Sequence, residues 1–191
     1  MRLMPDTQNN SLAEPSGDET FECMFQRYYP LVYQLAYRCT GQREEAEDIV
    51  QEAFIRFYHT PPQVTNEQDR RAWLCRVTTN LGLNALRSRQ RRIAHEHQVG
   101  ESTQRVVSDE AARLNPEQQV LEKEQADFIR SVLAELPERQ QTYLLLRSVG
   151  LSYAEIAQAT GVAPASVGSL LARAEREFRR RYHERASITN Q

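Results

Sequence analysis

Three cysteines, Cys23, Cys39 and Cys75, are too few and too widely spaced for a disulfide framework or a zinc site. They read as small core residues of a reduced, cytoplasmic protein. The seven glycines are scattered, so no glycine-rich phosphate loop exists. An HExxH pair, a GxSxG elbow and a cysteine–histidine cluster are all missing. His95 and His97 stand without acidic or cysteine partners at metal-ligand spacing. No apolar run approaches the roughly 20 residues that cross a bilayer. The N-terminus lacks the charged start and apolar core of a signal peptide. Net charge is only −2, which excludes a global basic signature for nucleic acid. No segment gives a strand signal. We expect a soluble all-α protein, not an enzyme, with no cofactor, no metal and no membrane partner.

What is present is concentrated in Gly150–Arg176, GLSYAEIAQATGVAPASVGSLLARAER. Ser152 and Glu155 form a capping box, so a helix should start at Tyr153. Gly161 follows about two turns later, where a left-handed residue ends a helix and reverses the chain. Pro164 suits the first position of a second helix. Val167, Leu170, Leu171 and Ala174 then recur at helical spacing, leaving Ser166, Ser169, Arg173 and Arg176 on other faces. Two short helices joined by a glycine turn make a helix-turn-helix, whose second helix fits the DNA major groove. An ordinary helical hairpin is the alternative. Small Ala157 at the crossing point favours the DNA-binding form.

Residues 1–20 are polar and contain little to bury, and read as a disordered leader. Phe21, Phe25, Tyr28, Val32, Leu35 and Cys39 form the stripe of a buried helix, which Pro30 should kink or split. The neighbouring Tyr29, Tyr33 and Tyr37 also read as core. Gly41 ends that element. A second helix, about 43 to 58, buries Ala46, Ile49, Val50, Ala53, Phe54 and Phe57. A third, about 69 to 91, is capped by Asn66 or Asp69, buries Trp73, Val77 and Leu81, and ends in arginines. Its polar Thr78, Thr79, Asn80 and Asn84 suit a helix lying along nucleic acid, although a plain core helix with a cationic last turn reads equally well. Residues 93–114 lose periodicity and read as a flexible linker between two small domains, 21–92 and 115–183, with a tail at 184–191. In the second domain Asn115, Pro116 and Gln118 announce a helix with Val120, Leu121, Phe128, Ile129, Val132, Leu133 and Leu136 on its apolar face. Pro137 breaks it, and another helix runs from Glu138 to Ser148.

Charge is segregated along the chain. Glu44, Glu45, Glu47, Asp48 and Glu52 share one segment, Arg87, Arg89, Arg91 and Arg92 a second, and Arg173 to Arg185 a third. One acidic surface and two basic ones imply two kinds of partner. The acidic residues lie along a helix face without a pocket to raise a pKa, which marks an interaction surface rather than catalytic carboxylates.

Three segments together resemble the extracytoplasmic-function group of the bacterial sigma-70 family. FQRYYPLVYQLAYRCTGQREEAEDIVQEAFIRFY at 25–58 is similar to the start of region two and its polymerase-binding helix. RRAWLCRVTTNLGLNALRSRQRR at 70–92 looks like the family's Trp-Leu helix ending in arginines. LPERQQTYLLLRSVGLSYAEIAQATGVAPASVGSLLARAE at 136–175 looks like region four. The resemblance implies a sigma factor that directs core RNA polymerase to promoters. Asp48, Gln51 and Glu52 would then dock on the clamp helices of the largest subunits. The loop at about 58–68 and the helix carrying Trp73, Arg76, Asn80 and Arg87 would engage the −10 element, where an unpaired base is held out of the stack. Ala165, Ser166, Ser169 and Arg173 would face the −35 element, with Arg147, Tyr153 and Arg176 on phosphates. Asn84, Ala163, Gly168 and Leu170 depart from the family pattern, so base contacts at −35 should be fewer and more apolar. Family members are often held by an anti-sigma factor, although no residue here demonstrates one. The alternative is a stand-alone helix-turn-helix regulator whose first domain senses a signal or dimerises.

Overall fold

The computed structural model describes residues 21–60, 66–99 and 116–189, and every element among them is a helix. In chain order these are α1 (Phe21–Thr40), α2 (Arg43–His59), α3 (Glu67–Val99), α4 (Pro116–Ala134), α5 (Glu138–Ser148), α6 (Tyr153–Thr160) and α7 (Pro164–Thr189). The leader, Asn115 and the expected linker from residue 100 onward lie outside the described residues.

α1 runs unbroken through Pro30, contrary to the expected kink or split. Pro30 is exposed, while Met24, Tyr28, Val32 and Leu35 on either side of it are buried. Tertiary burial of that stripe sustains the helix against the local preference of proline. Gly41 (φ 68°) then lets the chain turn into α2. α1, α2 and α3 pack together around Tyr28, Val32, Ala46, Val50, Phe54 and Leu74. Asn66 caps α3, its Oδ1 accepting from the Asp69 amide at 2.8 Å. α3 and α1 approach closely at Gly82, where a Cβ would sit 2.7 Å from Cys39 Cβ and Sγ.

Further expectations need correction, among them Phe21, which is exposed rather than part of the buried stripe of α1. α3 continues to Val99 rather than stopping near residue 91, because no proline or glycine interrupts the chain between Gly82 and Gly100. Trp73, Val77 and Leu81 are half-buried, and the fully buried residues of α3 include Ala72, Leu74, Cys75 and Leu83. Cys23 is exposed, unlike Cys39 and Cys75. Val120, Leu121 and Ile129 are exposed, because α4 makes its apolar contacts mainly through Val132 and Leu133, with Phe128 edge-on to Tyr182 at 5.2 Å. At the other end of the chain, α7 carries on through much of the expected tail.

The second group of helices is not separate from the first. Leu35, Cys39, Ala72, Cys75, Leu83 and Leu86 share one apolar cluster with Leu136, Tyr143, Leu146, Leu151 and Ile156. α6 and α5 lie against α3, and α5 also touches α1. Among the described residues two ion pairs cross this seam, Arg71–Glu155 and Arg87–Glu138, the latter at 2.7 Å. Arg130 from α4 lies over Gly41, where any Cβ would collide with the guanidinium.

Candidate nucleic-acid interface

The helix-turn-helix has the expected joints. The Ser152 amide donates to Glu155 Oε2 at 2.7 Å and the Glu155 amide to Ser152 Oγ at 3.3 Å, which completes the capping box. Gly161 (φ 70°) closes α6, and the Val162 amide reaches back to the Ala157 carbonyl at 3.1 Å. Pro164 opens α7. Ala163 gives only its carbonyl to this helix start, accepting from the Ser166 amide at 2.9 Å. Val167, Leu171 and Ala174 are buried, so Ala165, Ser166, Ser169, Arg173 and Arg176 are turned outward and exposed. The Ser169 hydroxyl donates to the Ser166 carbonyl at 2.9 Å, which leaves its lone pairs outward. Neither Arg173 nor Arg176 forms an ion pair among the described residues.

Arg147 and Tyr153 belong to the same surface. The Arg147 guanidinium donates to the Leu151 carbonyl at 3.2 Å and stands 5.6 Å from the Tyr153 ring centre. The exposed Tyr153 ring in turn flanks Gly168, where a Cβ would meet it at 3.6 Å. A cation, a hydroxyl-bearing ring and an exposed helix N-terminus therefore lie side by side, a set suited to phosphate and groove contacts.

α3 carries the second surface. Trp73 packs edge-on to Phe57 at 5.5 Å and stays partly open, while Arg76 and Asn80 are exposed. Thr78 and Thr79, which suited either nucleic acid or a plain core helix, are fully buried and donate to the carbonyls of Leu74 and Cys75 at 2.8 and 2.7 Å. Satisfying each hydroxyl within the helix lets these residues occupy a core position. The arginine run is largely engaged: Arg87 pairs with Glu138, Arg89 donates to the Thr40 carbonyl at 3.1 Å, and Arg92 lies 3.8 Å from Glu45. Arg76 and Asn80 line a cleft of about 560 Å³ whose far side is Arg139, Thr142, Tyr143 and the α6–α7 turn.

The third surface is the outer face of α2. Asp48 and Gln51 are exposed, and Glu52 accepts from Arg56 at 2.7 Å. Ile55, half exposed, continues the same face one turn on. Sequence reasoning passed over it, although the spacing 48, 51, 52, 55 marks it as outside the apolar stripe. The seam partners Arg71, Glu138 and Glu155 were also passed over as partners. Burial pushes the Glu155 carboxyl up, but the Ser152 hydroxyl and amide and the Arg71 guanidinium outweigh it and hold the group below its usual range. Burial raises the thiols of Cys39 and Cys75 to about 12. No group of three or more His, Cys, Asp and Glu among the described residues could hold a metal, and no described helix is long and apolar enough to cross a membrane.

An outward helix-turn-helix and a second helix ending in arginines mark a helical DNA-binding protein, which also carries an exposed acidic face on α2. Residues 24–92 match sigma-70 region 2 and residues 129–178 match sigma-70 region 4. The chain is 33% identical to the ECF RNA polymerase sigma factor SigE of Mycolicibacterium smegmatis, over 97% of this chain and 69% of that one. It is 27% identical to SigW of Bacillus subtilis, also an ECF sigma factor, over 88% and 92%. Two solved structures share the fold at 20% identity. The sigma factor RpoE in complex with the anti-sigma factor NepR, from Bartonella quintana, aligns with TM-score 0.53 over 84% of this chain and 95% of its own. CnrH in complex with the cytosolic domain of CnrY aligns with TM-score 0.57, over 83% and 84%. The chain belongs to the extracytoplasmic-function group of the sigma-70 family.

Proposed function

We propose that the chain is a dissociable specificity subunit of RNA polymerase, working in the cytoplasm, without catalysis or cofactor of its own. The face of Asp48, Gln51, Glu52 and Ile55 docks on the clamp helices of core enzyme. Trp73, Arg76, Asn80 and Arg87 engage the −10 element, and α7 enters the major groove of the −35 element. Ala165, Ser166 and Ser169 offer methyl and hydroxyl contacts to base edges, Arg173 is the long donor, and Arg147, Tyr153 and Arg176 hold phosphates.

One observation carries this reading: of the residues assigned to −10, Arg76, Asn80 and Arg87 face the second domain, while those assigned to −35 face solvent. Arg76 and Asn80 look into the cleft and Arg87 is spent on Glu138. A chain closed in this way reads a promoter only after its halves separate, and docking on polymerase supplies the energy to separate them. A stand-alone regulator gains nothing from turning these DNA-binding residues towards its own second domain. RpoE of Bartonella quintana is bound by the anti-sigma factor NepR, and we extend restraint by a partner of that kind to this chain.

Purified protein added to core polymerase should start transcripts from a discrete set of promoters in a run-off assay. Absence of product above core alone, across a promoter library from the source genome, would refute the reading. A footprint made by the isolated protein on a palindromic duplex would favour the stand-alone regulator instead.

A further inference from the structure

We propose that the cleft between the two domains binds a multivalent phosphate anion and that this ligand holds the closed arrangement. α3 presents Arg71, Arg76 and Arg87 towards the second domain. The outer two are neutralised across the seam by Glu155 and Glu138. Arg76, between them, has no carboxylate partner among the described residues, and neither has Arg139 on the other side of the same cleft. Among the described residues Glu138 is the only acid lining the cavity, and Arg87 holds it at 2.7 Å. Two unneutralised guanidinium groups from different domains thus share one cavity, where their repulsion works against closure.

A ligand bearing at least two negative groups removes that repulsion and bridges the domains. Guanidinium forks match phosphate oxygens in pairs, which favours phosphate over a simple halide. The Asn80 amide and the Thr142 hydroxyl line the same space and complete a polar cradle. At about 560 Å³ the cavity is oversized for a single ion and falls in the roughly 300–1,000 Å³ range of small-ligand sites. Because the ligand touches both domains only when they are closed, it stabilises that state by mass action. Arg76 then cannot serve DNA, so ligand and promoter compete.

The cysteines provide the readout. Cys23 is exposed, whereas Cys39 and Cys75 lie fully buried in the cluster shared across the seam. A thiol reagent should modify Cys23 at once and Cys75, which lies beside the Arg71–Glu155 pair, only on opening. Pyrophosphate and ATP would each be added to the full-length protein, with sulfate at matched ionic strength as control. At ten times its dissociation constant, a closing ligand should slow the Cys75 reaction about tenfold. Arg139→Gln, an exposed position outside the assigned DNA surfaces, should abolish the slowing while keeping the helical circular dichroism of the parent. Slowing by pyrophosphate supports recognition of the phosphate chain alone; slowing by ATP only supports a site that also reads the nucleoside. No slowing beyond sulfate, or equal slowing in Arg139→Gln, overturns the proposal. The inference rests on the closed arrangement described for the proposed function. The thiol assay contains neither polymerase nor promoter, so its failure and a failure of run-off transcription are distinguishable.

Discussion

Glu155 holds two structures together with one carboxylate. Its Oε2 accepts from the amide and hydroxyl of Ser152, which caps α6, and its Oε1 accepts from Arg71 across the seam. Three substitutions separate the roles. Ser152→Ala removes the cap alone and should cost about 1 kcal/mol. Arg71→Gln removes the charge pair alone. A hydrogen bond to a charged group contributes about 1.5–3 kcal/mol, but Arg71 is 33% exposed, so solvent screens part of it. We expect about 1–2 kcal/mol, a factor of roughly 5–30 in the opening equilibrium. Glu155→Gln should show both losses. Urea denaturation reads the cap, and the modification rate of Cys75 reads the seam. Ser152→Ala should lower urea stability and leave the Cys75 rate near wild type; Arg71→Gln should raise that rate. Adding Arg71→Gln to Glu155→Gln should raise it no further, since one partner is already gone. The pH dependence follows from the lowered carboxyl pKa. Its contribution is whole above the unfolded carboxylate pKa and is lost as pH falls through the folded value. Acid therefore opens the seam. A Cys75 rate unchanged by Arg71→Gln but accelerated by Ser152→Ala would refute the assignment of the pair to closure.

Reversing charge with Asp48→Lys and Glu52→Lys should weaken co-purification with core polymerase, and unchanged recovery would remove that face from the interface. Arg173→Ala should cost about 1–3 kcal/mol on a cognate promoter bound with polymerase if it reads a base edge. Arg176→Ala should instead weaken all sequences alike and lower the salt slope by about one; binding to promoter and scrambled duplex at two salt concentrations separates the two. Two helical glycines should behave oppositely in thermal melts. Gly168→Ala meets Tyr153 at an ordinary 3.6 Å and should stabilise α7 by about 0.5–1 kcal/mol. Gly82→Ala pushes a methyl to 2.7 Å from Cys39 and should destabilise by about 1–3 kcal/mol.

The local features were readable because each is decided within a few residues. The Ser152–Glu155 box, the left-handed Gly161 and Pro164 at the start of α7 depend on near neighbours and backbone chemistry. The α2 face followed from helical spacing for the same reason. Thr78 and Thr79 stayed open between nucleic acid and core because a polar side chain suits solvent, while a helix carbonyl four residues back satisfies it equally. The end of α3 was set too early because loss of apolar periodicity marks the end of burial and not the end of a helix. The seam was invisible for another reason. Arg71 and Glu155 are 84 residues apart in sequence, and each looks like an ordinary surface charge until the fold brings them together.

The packing of Arg130 on Gly41 gives the closed form a component of a different character. Ion pairs across the seam weaken as salt rises, because mobile ions screen them. The fit of a guanidinium onto a bare backbone is steric and responds to no counter-ion. Raising salt should therefore remove the share of closure due to the Arg71 and Arg87 pairs, while the shared apolar cluster and the Arg130–Gly41 contact persist. The two halves should then stay together at high salt, held by groups that counter-ions do not screen.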